Sequence, residues 1–103
     1  MEGVKVIPRS LGNHLTPLAL AILIMDSGVK ESGGLRLITS SFSYSDLLLF
    51  VQVLYNNFEI KASIQSTGVS SRYTIYVGKE YMTQLRDIVS SYIIKEMKYK
   101  LLP

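Results

Sequence analysis

A chain of 103 residues holds one compact domain, and at that size folding buries roughly two thirds of the surface the unfolded chain exposes. Hydrophobic residues make up 48% and charged residues 18%, with no Pro/Gly/Ser-rich tract, which excludes a disordered chain. Eleven Lys and Arg against eight Asp and Glu leave +3, a mild bias towards an anionic partner; zero cysteines exclude disulfides, thiolate metal sites and a Cys nucleophile, and the single histidine, His14, argues against a His-based triad or zinc site.

The first segment, "MEGVKVIPRSLGNH", lacks the apolar stretch of a secretory signal and reads as an N-terminal extension over residues 1–14. Thr16 and Pro17 then predict a helix start, Thr as N-cap and Pro in the first turn, with the helix running to about Ser27. Gly28 suits the left-handed conformation that closes a helix. The most apolar run, Leu15 to Met25, is about half of the roughly 20 residues that span a bilayer, so a buried helix of a soluble protein is expected and no membrane partner. Apolar residues cover every side from Leu18 to Met25, which predicts burial all round, at the centre of a core or at a subunit interface; Ala19 and Ala21 are small enough to let another helix approach closely, and in the interface case Leu18, Ala19, Ala21, Ile22 and Met25 are the expected contacts.

"VKESGG" reads as a short strand and turn, and "LRLITSS", Leu35 to Ser41, as a second strand. From Ser43 to Phe58 an amphipathic helix is expected, with Leu47, Leu48, Val51, Leu54, Tyr55 and Phe58 inward. Two more strands, Lys61 to Thr67 and Arg72 to Val77, are joined by the turn "GVSS". Lys79 to Ile94 is expected to be helical, with Met82, Leu85, Ile88, Val89 and Tyr92 inward, followed by a basic tail, 95–103, forming one short turn. The order helix, two strands, helix, two strands, helix predicts an α+β domain, a four-stranded sheet covered by helices on one face.

Period-two alternation puts Ala62, Ile64, Tyr73, Ile75, Val77, Leu35, Leu37 and Thr39 on the helix side. The other side collects Lys61, Ser63, Gln65, Arg72, Thr74, Tyr76, Arg36, Ile38 and Ser40, a row without an acid. Such a row is either a solvated sheet face or a nucleic-acid surface, with Lys and Arg neutralising phosphates and Gln, Ser, Thr and Tyr available for bases or the 2′-hydroxyl.

The stretches "HLTPLALAILIMDSG", "LITSSFSYSDLLLFVQVLYNNFEIKASI" and "YTIYVGKEYMTQLRDIVSSYIIKEMKYKL" resemble the LAGLIDADG homing endonucleases, in particular the second repeat of two-repeat organellar members, over about Asn13 to Leu101. The resemblance implies an αββαββα half-domain with a saddle-shaped antiparallel sheet. It also implies that the 16–27 helix packs against a second repeat or other protein, and that an acid at the eighth letter of the motif binds the divalent metal used to cut DNA.

Laid over Leu20 to Gly28, the motif puts its eighth letter on Ser27 and its seventh on Asp26. Adjacent helical residues project about 100° apart, so Asp26 takes the metal position only if the helix end is reshaped. Ile38 is apolar where a reading face favours polar residues, and "SYIIKEM" lacks the prolines associated with this part of the repeat. The sequence therefore points to a protein that keeps nucleic-acid binding without cleavage: RNA in preference to DNA, no metal and no cofactor, in an organellar ribonucleoprotein such as a ribosome or an intron-maturase complex, in the mitochondrion ahead of the plastid. The expected contacts are Lys30, Arg36, Ser40, Lys61, Ser63, Gln65, Arg72 and Thr74 on the saddle, with Lys95, Lys98 and Lys100 as a second basic patch. The alternative is a metal-dependent DNA endonuclease, a homodimer or one piece of a split enzyme, using Asp26 and Mg²⁺.

Overall fold

Thr16 opens the first helix, α1 (Pro17–Ser27), by accepting the Ala19 amide on its side chain at 3.1 Å, a cap contributing about 1 kcal/mol. The computed structural model describes residues 15–39, 42–70 and 72–102; the extension over 1–14, His14 and Ser40 lie outside them. Leu20, Ala21 and Ile24 lie inward, whereas Leu18 and Ile22 are 48% and 54% exposed. Burial all round is thus corrected to burial of one face. At 3.6 residues per turn Leu20 and Ile24 stack on the core side, and Leu18 and Ile22 stack on a side left about half exposed.

Gly28 is also corrected. It is extended (φ −81°, ψ 138°) and is the first residue of β1 (Gly28–Glu31), so helix passes into strand without a loop. Glycine is needed there for proximity: a Cβ would lie 2.6 Å from the Ile24 carbonyl oxygen. The left-handed residues come later, Ser32 (φ 52°) and Gly33 (φ 82°), which form the two-residue turn into β2 (Gly34–Leu37).

Ser43 caps α2 (Tyr44–Phe58) by accepting the Asp46 amide at 3.2 Å, and Glu59 ends it in a left-handed conformation. The inward residues are Leu47, Phe50, Val53 and Leu54; Leu48 and Tyr55, expected inward, are 50% and 46% exposed. The run from Leu47 to Val51 is apolar on every side of the helix, so spacing alone does not fix which side faces the sheet.

β3 (Ala62–Ser66) and β4 (Tyr73–Val77) complete an antiparallel sheet in the order β1-β2-β4-β3. Leu35, Leu37, Ile75 and Val77 leave its inner face to meet Leu20, Ile24, Leu47, Leu54, Leu85 and Val89 from the helices. After a 3₁₀ turn at Lys79–Tyr81, α3 (Met82–Val89) is shorter than expected. The Ser90 hydroxyl donates back to the Arg86 carbonyl, the chain tightens to 3₁₀ over Ser90–Tyr92, and Ile93 is extended and buried while Tyr92 is exposed. The tail forms seven residues of 3₁₀ helix, Lys95–Leu101, in place of one short turn; buried Leu101 and the Arg86 guanidinium donating to its carbonyl at 2.8 Å hold it. No helix among the described residues is long and apolar enough to cross a membrane.

Candidate nucleic-acid interface

Strand register decides which side chains share the sheet face opposite the helices. Arg36 pairs with Tyr76, Tyr76 with Ser63, and Thr74 with Gln65, so these five stand on one face as alternation predicts. Val29 pairs with Arg36, which brings Val29 and Glu31 of β1 onto the same face. The face therefore carries an acid, correcting the acid-free row. The signal was present in the Ser32-Gly33 turn, which sets Glu31 opposite Gly34 and so fixes the side on which it stands.

Glu31 and Arg36 organise the centre. Arg36 donates from Nε to Glu31 Oε2 at 2.9 Å and again from Nη2 to the same oxygen; Nη2 also reaches Gln65 Oε1 at 2.9 Å, and Nη1 reaches Thr74 Oγ1 at 2.8 Å. Four of the five guanidinium N–H groups are thus engaged. The guanidinium carbon lies 5.1 Å from the Tyr76 ring centroid, and the Tyr76 hydroxyl donates to the Glu31 carbonyl at 3.0 Å. Gln65 completes the cluster by donating to Ser63 Oγ at 3.2 Å. The hydrogen bond from Arg36 holds Glu31 below the ordinary carboxylate range against a smaller desolvation effect, and its charge adds to this; Arg36 is raised in turn by the bond to Glu31.

This arrangement changes the picture of the expected cations. Arg36 lies on the saddle but is held by its neighbours, and the Thr74 hydroxyl is buried beneath it. Lys30 pairs with Leu35, which places it off the saddle face, at the β1 edge of the sheet. Lys61 precedes β3, and its ammonium lies 5.9 Å from the Tyr55 ring centroid, drawn towards α2. Arg72, Lys95 and Lys98 are exposed. Lys100 is engaged elsewhere: its ammonium donates to the Met25 carbonyl at 2.8 Å, at the end of α1. Of the expected partner face on α1, Leu18 and Ile22 are exposed, Ala19 and Met25 half-buried, and Ala21 is fully buried in the chain's own core, so Ala21 is removed from that face.

Where α1 meets the sheet edge, Asp26, Ser27, Gly28, Val29, Lys30, Ile38, Tyr99 and Lys100 line an open pocket of about 620 Å³. The Ser27 hydroxyl donates to Asp26 Oδ2 at 3.3 Å. A divalent cation requires several hard, anionic oxygens. Here the chain offers one carboxylate, a neutral hydroxyl and two lysines, and no group of three or more His, Cys, Asp or Glu converges among the described residues. Taken from this chain alone, the donor set does not by itself complete a divalent metal site.

The architecture agrees with the comparisons. Residues 1–85 match the LAGLIDADG DNA endonuclease family, and the chain belongs to it. It is 50% identical over 100 residues to a cytochrome b mRNA maturase bI2 of Saccharomyces cerevisiae, covering 96% of this chain and 24% of the relative. It is 33% identical over 93 residues to the intron-encoded endonuclease ai4 of Dictyostelium discoideum, covering 90% of this chain and 58% of that relative. The homing endonuclease I-WcaI bound to its DNA recognition sequence has the same fold, with a TM-score of 0.87 and 28% identity over 99% of this chain and 48% of that one. The chain therefore spans from about a quarter to about three fifths of these proteins, and its relatives include both maturases and endonucleases.

Proposed function

We propose that this domain binds structured RNA as a maturase-like member of its family and does not cut nucleic acid. The observation that carries the reading is the composition of the pocket at the end of α1, where Asp26 is the one carboxylate, Ser27, on which the motif's acid letter falls when it is laid over Leu20 to Gly28, offers a hydroxyl, and Lys100 takes the helix-end carbonyl. The identity to a cytochrome b mRNA maturase supports RNA over DNA, and the cytochrome b message supports an organellar setting, the mitochondrion first. A place in an organellar ribosome is the alternative setting for the same RNA binding. Rim cations such as Lys61, Arg72, Lys95 and Lys98 neutralise backbone phosphates, and the central cluster meets bases and sugars. The exposed Leu18–Ile22 side of α1 packs against a second repeat, in the same or another chain.

The endonuclease reading draws on the likeness to DNA-bound I-WcaI and uses Asp26 with Mg²⁺. Two measurements decide. With about five phosphate contacts, log K for a labelled hairpin RNA falls against log salt with a slope of roughly −3.5 to −4.5; a flat dependence overturns RNA binding. Supercoiled plasmid incubated with Mg²⁺ stays intact, whereas nicking abolished by Asp26→Ala establishes the endonuclease.

A further inference from the structure

We infer that Glu31 is a specificity-determining residue: its carboxylate occupies the Arg36 guanidinium edge that would otherwise take a backbone phosphate, keeping the centre of the saddle closed to phosphate and open to base edges. The inference rests on the nucleic-acid reading above and names how the same face selects its contacts.

The geometry is that of an internal competitor. The Nε and Nη2 edge of a guanidinium is the edge on which carboxylate and phosphate oxygens bind alike. Glu31 Oε2 takes both donors of that edge, while Thr74 and Gln65 take two more. Tyr76 lies against the guanidinium and at the same time fixes the β1 backbone at Glu31, so acid and base are held in place by one ring. The pair is also reachable, the Glu31 side chain being about two fifths exposed. A phosphate approaching Arg36 meets a carboxylate already seated there and a like charge beside it. An exocyclic amine of a base meets the same carboxylate as an acceptor, Oε1 having no partner among the described residues. Backbone contacts are thereby left to the rim, and sequence or shape is read at the centre.

The test is the salt dependence of hairpin RNA binding for the wild type, Glu31→Gln, Arg36→Gln and the double variant, with Glu59→Gln as a control for one lost negative charge. Glu31→Gln frees Arg36 for one phosphate, so its slope steepens by about 0.7 to 0.9 and binding tightens. The same change made on the Arg36→Gln background leaves the slope where Arg36→Gln sets it, and Glu59→Gln moves it less than Glu31→Gln. An unchanged slope in Glu31→Gln, with circular dichroism showing a folded protein, overturns the inference, as does an equal steepening in the double variant or in Glu59→Gln. A flat salt dependence in the wild type overturns the nucleic-acid reading itself. If Glu31→Gln does not fold, Glu31→Asp serves: its shorter side chain withdraws from Arg36 and predicts a steepening in the same direction, and no steepening overturns the inference.

Discussion

The Lys100 ammonium, on the 3₁₀ tail, donates to the carbonyl of Met25, on the last turn of α1, at 2.8 Å and reaches that of Ile24 at 3.5 Å. Two residues 75 and 76 positions apart in sequence from Lys100 thus share one cation at the negative end of a helix dipole. The contact offsets the cost of Asp26 in the same turn. It also turns a residue of the basic tail from a phosphate ligand into a helix cap.

Lys100→Met keeps the stem and removes the charge. A hydrogen bond from a charged group contributes about 1.5 to 3 kcal/mol, and the helix-end position up to about 1 kcal/mol more at the surface. The half-buried site makes a net loss of about 2 kcal/mol the expected outcome in denaturant unfolding, with Lys100→Arg closer to the wild type. A loss below about 0.5 kcal/mol would show that the tail cation is ornamental to the fold.

The legible parts of this chain were those where local chemistry and burial agree. Thr16-Pro17 and Ser43 mark helix starts because a side-chain oxygen and a restricted ring act within three residues. Strand alternation placed Ser63, Gln65, Thr74 and Arg36 on one face because period two leaves no freedom once the opposite side is apolar. The side of α2 facing the core was not legible, since the run from Leu47 to Val51 is apolar in every direction. The fates of Lys30, Lys100 and Glu31 were illegible for another reason. Each depends on a partner fixed by strand register or by the path of the tail, which charge counting does not contain.

Gly28→Ala tests the junction between helix and strand. The new Cβ would stand 2.6 Å from the Ile24 carbonyl oxygen and 3.2 Å from a Leu35 methyl in a buried site. Overpacking of this kind costs about 1 to 3 kcal/mol. A lower thermal midpoint is expected, accompanied by changed amide shifts at Ile38, whose N–H donates to the Ser27 carbonyl at 2.9 Å. A wild-type midpoint would show that the junction relaxes freely.

The Glu31–Arg36 pair gives a pH dependence of known sign. The folded-state value of Glu31 is depressed, chiefly by the Arg36 hydrogen bond, so the pair's contribution is present above the unfolded carboxylate value of about 4.3 and is lost as pH falls through the lower folded value. Arg36, raised from an already high value, stays charged throughout. A carbon-detected titration of the Glu31 carboxyl should place its midpoint below that of the urea-unfolded chain. The stability difference between wild type and Glu31→Gln should shrink as the pH falls from the unfolded value through that midpoint. A midpoint at or above the unfolded value would show that the pair does not persist in solution.

Leu18 and Ile22 lie one turn apart on the outer side of α1, about half exposed, while Leu20 and Ile24 hold the helix to the core. Replacing both residues by Asp gives up only the covered half of each side chain, so each change should cost the folded domain about 1 kcal/mol, besides the weaker helix preference of Asp. Association is expected to lose more. An aspartate on a desolvated helix-to-helix contact leaves an unpaired charge, a defect that costs several kcal/mol and shifts a dissociation constant by orders of magnitude. Light scattering across a concentration series should therefore show the wild-type chain forming dimers through this face and the double variant remaining a folded monomer that melts a few degrees lower. A variant that unfolds would place Leu18 and Ile22 in the domain's own core, and a wild type that stays monomeric at high concentration would assign the face to a different second repeat.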